Sequence, residues 1–253
     1  MRVVIAGGGT GGHLFPGIAL ADELSTRHHK NEVIFVGTER GLEAKVVPAA
    51  GYKLETIKVF GLKGMGIMRL LKALVALPLA FISAWRLLRK YRPDVVVGVG
   101  GYSSGPVVLA AWMQRVPTAV QEQNALPGMT NKILGKVVNA VFISFDEARP
   151  FFPAKKVQLV GNPVRRALLE NYLRSKVGHE GFEILVFGGS LGAKGINSRM
   201  IDALDQLADV KNEIHVVHQT GKNDVDAVRK AYADRAWNAE VVEFIDDMSK
   251  AYA

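Results

Sequence analysis

Three short apolar runs in the sequence are each followed at once by a cluster of glycines, and this pattern limits what the chain can fold into. The runs cover residues 3–6, 94–99 and 182–187, and the glycines cluster at 7–12, 98–105 and 188–195. Apolar runs without polar alternation are typical of parallel strands that are covered on both faces. Strand, glycine turn and helix in this order predict an α/β fold of the doubly wound type, with ligands at the carboxyl ends of the strands.

The strand–glycine–helix pattern starts twice along the chain, which predicts two domains. The segment Gly161–Asn162–Pro163 breaks the first series of elements, so we place the domains at residues 1–162 and 163–253. The second domain shows only about three strands, whereas a complete doubly wound domain has about six. We therefore expect two Rossmann-like domains that face a cleft, the second of them incomplete in this chain.

Composition excludes several classes of protein. The 253 residues contain no cysteine, which rules out disulfide scaffolds, thiolate zinc sites and cysteine nucleophiles. The apolar run at the amino terminus is too short for a signal peptide. No histidine pair has the spacing of a metal site, and Asp224–Val225–Asp226 and Asp246–Asp247 are interpreted as helix caps. We predict no metal site and no cofactor, although divalent cations can assist diphosphate ligands without a protein site.

The net charge of +8 matches one basic segment. Residues 56–93 contain eight Lys or Arg and no acid, around an uncharged run of 13 residues that is too short to span a bilayer. The segment fits an interfacial membrane element in which Phe81 and Trp85 are anchors, or else a buried core helix with solvated ends. Nucleic acid is disfavoured because no stacking platform alternates with the basic residues.

The first glycine cluster leads directly to His13. Gly7, Gly9 and Gly12 satisfy the GxGxxG pattern, which presents backbone amides to an anion at a helix start. Mere helix–strand packing is the alternative for this loop. An imidazole at the mouth of the crevice can act as a general base near neutral pH, so His13 is a catalytic candidate, with a surface position as the alternative.

Further polar groups follow other predicted strands. The second and third glycine clusters would bring phosphate-binding backbone to the same kind of position, and Ser190 adds a hydroxyl to the third. Residues 121–124 form a polar run at the end of another strand, in which Glu122 is a rival base and Asn124 could hold a sugar hydroxyl. A capping turn is the alternative for this run.

Six motifs in this order resemble the MurG family of glycosyltransferases. They are GGGTGGHLFPGIALADEL, GVGGYSSGP, QEQNALPGMTNK, VGNPVR, GGSLGA and FIDDM, and the resemblance covers essentially the whole chain. It implies the two-domain GT-B fold and an inverting transfer of GlcNAc from UDP-GlcNAc to the C4 hydroxyl of the muramoyl sugar of lipid I, which gives lipid II for peptidoglycan. The implied partners are UDP-GlcNAc, lipid I and the anionic cytoplasmic membrane surface, with peripheral attachment at that face and no nucleic acid.

The resemblance also assigns roles to individual residues. It matches His13 with the family's candidate base. Donor contacts are implied at Thr10, Gly11, Gly12, Asn124, Arg165, Ser190 and Ile245. Acceptor contacts are implied at Gly8, Gly101 and Tyr102. Together with the charge pattern, it predicts membrane contacts at Lys72, Phe81, Trp85, Arg86 and Arg89.

Members of that family continue about a hundred residues further, and the additional part contacts the donor. We therefore expect this chain to bind the donor poorly and to be weakly active or inactive. Two other functions stay open. One is a dinucleotide-dependent oxidoreductase, which GxGxxG suggests but which requires an acid at the end of the second strand, where only the displaced Glu39 is found. The other is a non-enzymatic peripheral membrane module.

Overall fold

The computed structural model of the protein describes residues 1–39, 41–58, 67–166, 168–170, 181–189, 192–245 and 248–252, without the side chains of 67–76 and 249. The chain divides into two compact units, Met1–Arg166 and Ala167–Ala253.

The described part of the first unit contains a parallel sheet of seven strands. They are β1 (Arg2–Gly7), β2 (Glu32–Gly37), β3 (Lys53–Thr56), β4 (Val95–Gly100), β5 (Thr118–Glu122), β6 (Ala140–Ile143) and β7 (Val157–Leu159). Their spatial order is β3-β2-β1-β4-β5-β6-β7, and every neighbouring pair is parallel. The order reverses direction between β1 and β4, which is the switch point where doubly wound sheets bind ligands.

Helices cover both faces of this sheet. They are α1 (Gly11–Arg27), α2 (Glu43–Ala49), α3 (Ile67–Tyr91), α4 (Ser104–Met113) and α5 (Met129–Leu134), and short 3-10 helices follow at Asp146–Phe151 and Ala154–Lys156. Strand β1 illustrates why the strands lack polar alternation. Val3 and Ile5 pack into the core with α1 and α2, whereas Val4 and Ala6 pack into the core with α3, α4 and α5. Successive side chains of a strand point to opposite faces, so a strand covered on both sides needs apolar residues throughout.

The second unit is a smaller α/β unit of the same kind. Strands β8 (Phe182–Phe187), β9 (Ile214–Gln219) and β10 (Ala239–Val242) form a parallel sheet in the order β10-β9-β8, and α6 (Lys194–Gln206), α7 (Val225–Asp234) and α8 (Met248–Ala251) are its described helices. Its core includes Leu204, Val216 and Tyr232. The predicted α/β class and the short second sheet are confirmed.

One strand differs from the sequence interpretation. Strand β7 was not predicted, because three residues before Gly161 carry too little pattern to stand out.

Candidate active site

The first and second glycine loops contact each other at the switch point of the first sheet. The backbone N–H of Gly8 donates to the carbonyl oxygen of Gly100 at 3.3 Å. A Cβ on Gly101, whose φ is +84°, would collide with the carbonyl of Gly8. Gly8 and Gly101, both predicted acceptor contacts, therefore belong to one continuous backbone surface. The neighbouring Tyr102 is 53% exposed.

A buried carboxylate, which the sequence interpretation missed, accepts a hydrogen bond from the first glycine loop. Glu43 is 1% exposed, and its Oε2 accepts the N–H of Gly9 at 2.7 Å. Its Oε1 accepts the backbone N–H and the hydroxyl of Thr38, each at 2.8 Å. Burial raises the pKa of Glu43, but the hydrogen bonds from Gly9, from its own backbone and from Thr38 outweigh burial and leave the pKa lowered.

Several glycines are needed to seat this carboxylate. A Cβ on Gly8 or Gly37 would lie 2.5 Å from atoms of the Glu43 side chain, and one on Gly41 would lie closer still. Part of the glycine pattern therefore serves an internal anion. The signal in the sequence was a second acid, Glu43, two residues after Gly41, whereas the acid singled out there, Glu39, is exposed.

Thr10, Gly11 and Gly12 form the start of α1. Thr10 is the N-cap residue, is exposed, and makes no side-chain capping hydrogen bond. By the geometry of a helix start, the backbone N–H groups of Gly11 and Gly12 have no acceptor within the helix. A helix start of this kind attracts anionic groups, which suits the predicted contacts of these three residues with a sugar diphosphate.

His13 lies in the first turn of α1 and is partly exposed. Its Nδ1 is 3.0 Å from Oε1 of Gln123, the residue that follows β5. A Cβ on Gly100 would lie 2.8 Å from the same nitrogen, so the glycine at the end of β4 leaves room for the ring. The start of α1 and the ends of β4 and β5 thus bring His13, Gly100 and Gln123 together.

Glu122 and Asn124 have different environments although they are two residues apart. The Glu122 side chain is fully buried, and its oxygens accept hydrogen bonds from four donors. These are the Asn124 backbone N–H at 3.0 Å, Asn124 Nδ2 at 2.9 Å, the Gly128 N–H at 3.1 Å and Asn131 Nδ2 at 3.0 Å. Glu122 therefore organises the loop after β5, and the exposed Asn124 is held by it.

Arg165 lies against α1. Its guanidinium carbon is 5.0 Å from the centroid of the Phe15 ring. A Cβ on Gly11 would lie 3.0 Å from that same ring, so Phe15 connects the helix start with the arginine. Phe15 did not stand out in the sequence, because an aromatic residue in a first helical turn is usually part of a core.

In the second unit, Gln219 joins two loops that were predicted to contact the donor. Its Nε2 donates to the carbonyl oxygen of Gly189 at 2.7 Å, and its Oε1 accepts the backbone N–H of Ile245 at 2.8 Å. Gln219 is 3% exposed. The predicted contact Ser190 lies outside the described residues.

A polar network is buried beside these loops. His218 is fully buried, with Nδ1 3.1 Å from the Tyr232 hydroxyl and Nε2 3.1 Å from Oδ1 of Asn197. Asn197 Nδ2 donates to the carbonyl oxygen of Thr220 at 2.9 Å and to Asp224 at 2.8 Å. Desolvation lowers the pKa of His218 to about 4, so the imidazole is neutral at neutral pH.

Helices α3 and α4 carry apolar side chains on the surface of the first unit. Phe81 and Trp85, the predicted membrane anchors, pack partly buried against the core, and the exposed residues beside them are Leu79 at 62% and Ile82 at 45%. Trp112 is 44% exposed on α4. The predicted basic contacts Arg86 and Arg89 are exposed, and the side chain of Lys72 lies outside the described residues.

The described residues show neither a membrane-spanning helix nor a metal-binding cluster. Among them, no helix combines the length and hydropathy that crossing a bilayer requires. The same part of the chain holds no group of three metal-ligating side chains. Asp224 stands at the N-cap of α7 and Asp226 in its first turn, whereas Asp246 and Asp247 lie outside the described residues.

Both units match models of known protein families. Residues 3–143 match the glycosyltransferase family 28 N-terminal domain, and residues 183–253 match the glycosyltransferase family 28 C-terminal domain.

The names of similar proteins agree with these family matches. A UDP-N-acetylglucosamine–N-acetylmuramyl-(pentapeptide) pyrophosphoryl-undecaprenol N-acetylglucosamine transferase of Myxococcus xanthus is 70% identical over all of this chain and 66% of its own length. A Geobacter sp. (strain M21) protein of the same name is 49% identical over all of this chain and 68% of its own length. The chain thus spans slightly less than two thirds of the Myxococcus relative.

Solved structures share the fold. The crystal structure of Acinetobacter baumannii MurG is similar with a TM-score of 0.69 and 32% identity, covering 99% of this chain and 68% of that one. A UDP-GlcNAc 2-epimerase from Neisseria meningitidis has a TM-score of 0.65 at 16% identity, covers 100% and 74% of the two chains, and shows the fold alone. With family models matching along both α/β units, the chain belongs to the MurG family of family 28 glycosyltransferases.

Proposed function

We propose that this chain provides the acceptor-binding unit and part of the donor-binding unit of an inverting N-acetylglucosaminyltransferase. The reaction would transfer GlcNAc from UDP-GlcNAc to the C4 hydroxyl of the muramoyl sugar of lipid I and give lipid II. The names of the relatives supply the substrates. The observation that supports this chemistry is the position of His13, which lies where the two glycine loops of the first unit meet.

His13 is the proposed general base. Its Nε2 would take the proton of the attacking hydroxyl while that oxygen bonds to the anomeric carbon of GlcNAc. UDP would leave with the electron pair of the broken bond, so one displacement inverts the configuration. General-base catalysis contributes about 10²- to 10⁴-fold.

Glu122 is the weaker candidate for this role. A base must reach the proton that it removes, and the Glu122 carboxylate is fully buried beneath the loop that it organises. Four hydrogen bonds from protein groups already use its oxygens. We therefore assign it the positioning of Asn124, which stays a proposed donor contact.

The first unit offers positive electrostatic potential for a diphosphate. The helix start at Gly11 and the guanidinium of Arg165 both lie close to the Phe15 ring. Both would stabilise negative charge on phosphate groups. The Gly9 amide is not such a donor for phosphate, because its N–H already donates to the carboxylate of Glu43. A dinucleotide-dependent oxidoreductase would use the Gly9 amide for its pyrophosphate, so the hydrogen bond to Glu43 disfavours that alternative. The diphosphate contacts proposed here lie at Gly11 and Gly12 instead.

We also propose that α3 and α4 dock on an anionic membrane surface. Leu79, Ile82 and Trp112 are exposed apolar groups, and Arg86 and Arg89 add positive charge on α3. Neither helix sequence contains an acid. Such an arrangement favours interfacial binding, in which apolar groups enter the headgroup region and each basic residue adds about 1 kcal/mol.

The test is transfer of labelled GlcNAc from UDP-GlcNAc to a short-chain lipid I analogue. This 253-residue chain is assayed beside an extended chimera, in which the part of the Myxococcus xanthus relative beyond the matched region follows residue 253. We expect product from the extended chimera and little or none from the chain alone. A folded chimera without product would contradict the proposed activity, and liposome binding without any turnover would favour the membrane module.

The matched variant is His13→Ala in the extended chimera. We expect turnover to fall at least about 100-fold, the low end for loss of a general base. The control is His29→Ala, which changes an exposed histidine after the end of α1. Near-normal turnover of His13→Ala would remove His13 from the mechanism.

A further inference from the structure

Gln123 forms a hydrogen bond with His13, the proposed base. Neither the family models nor the names of the relatives assign Gln123 a role. Its Oε1 lies 3.0 Å from Nδ1 of His13. Gln123 is only 8% exposed, so its side-chain amide is buried inside the protein. The direction of that amide decides which nitrogen of the His13 ring carries a proton.

The other contacts of Gln123 fix the direction of its amide. The Nε2 group lies 3.0 Å from the carbonyl oxygen of Val99 and 3.4 Å from that of Gln121, and it also contacts the side-chain oxygen of Gln121. The two backbone oxygens can only accept hydrogen bonds, so the NH₂ group must face them. A flipped amide would place Oε1 against the Val99 carbonyl and lose these bonds.

Because Oε1 is then turned toward His13 and can only accept, the ring must donate from Nδ1. A neutral imidazole carries one N–H, so the proton on Nδ1 leaves Nε2 with a free lone pair. The glycine at position 100 supports this seat, because a Cβ there would lie 2.8 Å from Nδ1 and 2.9 Å from Cε1. The ring is thus confined on its Nδ1 side.

We propose that Gln123 is a positioning residue that holds His13 as the Nδ1–H tautomer, with Nε2 free to accept the proton of the attacking hydroxyl. This inference rests on the proposed function for its catalytic meaning, whereas the tautomer itself is a property of the folded chain. The bond to Gln123 also survives the proton transfer, because a protonated imidazole still donates from Nδ1. Gln123 therefore holds the His13 ring in the same orientation before and after Nε2 takes up the proton.

The first experiment reads the tautomer without any substrate. In the 253-residue chain labelled with ¹⁵N-histidine, long-range ¹H–¹⁵N correlations distinguish a protonated Nδ1 from a protonated Nε2, and His13→Ala assigns the signals. We expect His13 to be the Nδ1–H form in the unmodified chain. In Gln123→Met, which has similar length and no amide, we expect a shift toward the Nε2–H form.

The control is Gln114→Met, the same change at a half-buried glutamine that donates to the carbonyl oxygen of Trp85. It should leave the His13 signals unchanged. If Gln123→Met unfolds, Gln123→Asn keeps an amide but withdraws its oxygen by one methylene, and should shift the tautomer in the same direction. An Nε2–H form in the unmodified chain, or an unchanged tautomer in a folded variant, would overturn the proposal.

The second experiment measures turnover in the extended chimera. We expect Gln123→Met to lower kcat about 10- to 100-fold, by analogy with the loss of a group that orients a metal-binding histidine, while KM changes little. A KM increase with unchanged kcat, or unchanged kcat despite a shifted tautomer, would contradict the positioning role. A chimera without activity would contradict only the proposed function, since the spectra still report the tautomer.

Discussion

The guanidinium of Arg165 lies over the ring of Phe15, 5.0 Å from its centroid, and so connects the segment after β7 with the first turns of α1. Phe15 is 38% exposed, which leaves one side of this pair open. A cation held over an aromatic ring loses part of its conformational freedom before any ligand arrives. The pair would therefore orient Arg165 for the negatively charged group that we propose to bind near Gly11.

Replacing this ring should weaken donor binding. A cation–π contact at an exposed site contributes about 0.5–1 kcal/mol, so Phe15→Leu should raise the Kd of UDP-GlcNAc for the extended chimera about two- to fivefold. Isothermal titration measures this change. The control is Phe151→Leu, since Lys132 lies 4.1 Å from the centroid of that ring and forms a similar pair elsewhere. Equal effects of the two variants would contradict a specific role for Phe15.

Glu43 should contribute to stability through its ionised form. Glu43→Gln would turn an NH₂ group toward the N–H donors of Gly9 or Thr38, and an unsatisfied buried donor costs about 1–3 kcal/mol. We expect a loss of about that size at pH 7 by urea unfolding. The control is Glu39→Gln at an exposed acid, which should change the free energy of unfolding by less than about 0.5 kcal/mol.

The pH dependence of stability gives a second measurement on Glu43. Its pKa in the folded state is lowered from 4.5, so the unfolded chain takes up a proton first as the pH falls. The stabilisation is therefore complete above pH 4.5 and is lost as the pH falls toward the lowered pKa. Glu43→Gln should lack this part of the acid slope, and an unchanged slope would mean that other carboxylates account for it.

The fold could be predicted because its signals are local. The apolar runs at 3–6 and 182–187 each lie wholly inside an observed strand. For 3–6 the reason is that β1 is a parallel strand covered on both faces, which must be apolar throughout. Strand β7 escaped because an edge strand of three residues with exposed side chains needs no such pattern. A strand of only three residues thus gives too little local pattern to be predicted, whereas the longer runs of β1 and β8 were sufficient.

The site was less predictable because its contacts are distant in sequence. His13 and Gln123 are 110 residues apart, and Gly9 and Glu43 are 34 apart. A glycine motif identifies where backbone approaches something closely, but not whether that is a ligand or the protein's own carboxylate. Only the folded arrangement shows that Gly9 donates to the protein's own Glu43 and Gly8 to Gly100.

His218 should make the second unit sensitive to mild acid. Burial lowers its pKa from 6.5 to about 4, so the unfolded chain binds a proton between these values while the folded unit does not. Stability should fall by up to about 3 kcal/mol from pH 6.5 to pH 4 and change no further below that through this group. The fluorescence of Trp237, in the core of the second unit, follows the transition by urea.

The matched variants are His218→Gln and His215→Gln. The first removes the buried imidazole, so we expect lower stability at pH 7 and a flatter slope between pH 6.5 and 4. The second changes the more exposed histidine on the same strand, 4.0 Å from Glu183, and should keep the slope. A slope that survives in His218→Gln would contradict the assignment to this network.

Gln219 should couple the two donor loops of the second unit. Gln219→Met removes the hydrogen bonds to the Gly189 carbonyl and the Ile245 amide, each worth about 0.5–1.5 kcal/mol. If both loops contact the nucleotide, the Kd of UDP for the extended chimera should rise about tenfold. The control is Gln206→Met at the exposed end of α6. An unchanged Kd in a stable Gln219 variant would separate these loops from donor binding.

The docking surface on α3 can be tested by its charge. Arg86→Gln with Arg89→Gln removes two exposed cations, and at about 1 kcal/mol each the partition coefficient onto anionic liposomes should fall about 30-fold at low salt. The apolar contribution is tested separately by Leu79→Ser with Ile82→Ser, which should weaken binding at high salt as well. Sedimentation with liposomes containing anionic lipid measures both.

The control pair is Arg27→Gln with Lys30→Gln, because α1 covers the opposite face of the sheet from α3. Equal losses for both charge pairs would indicate attraction to the overall net charge and would contradict a docking face on α3.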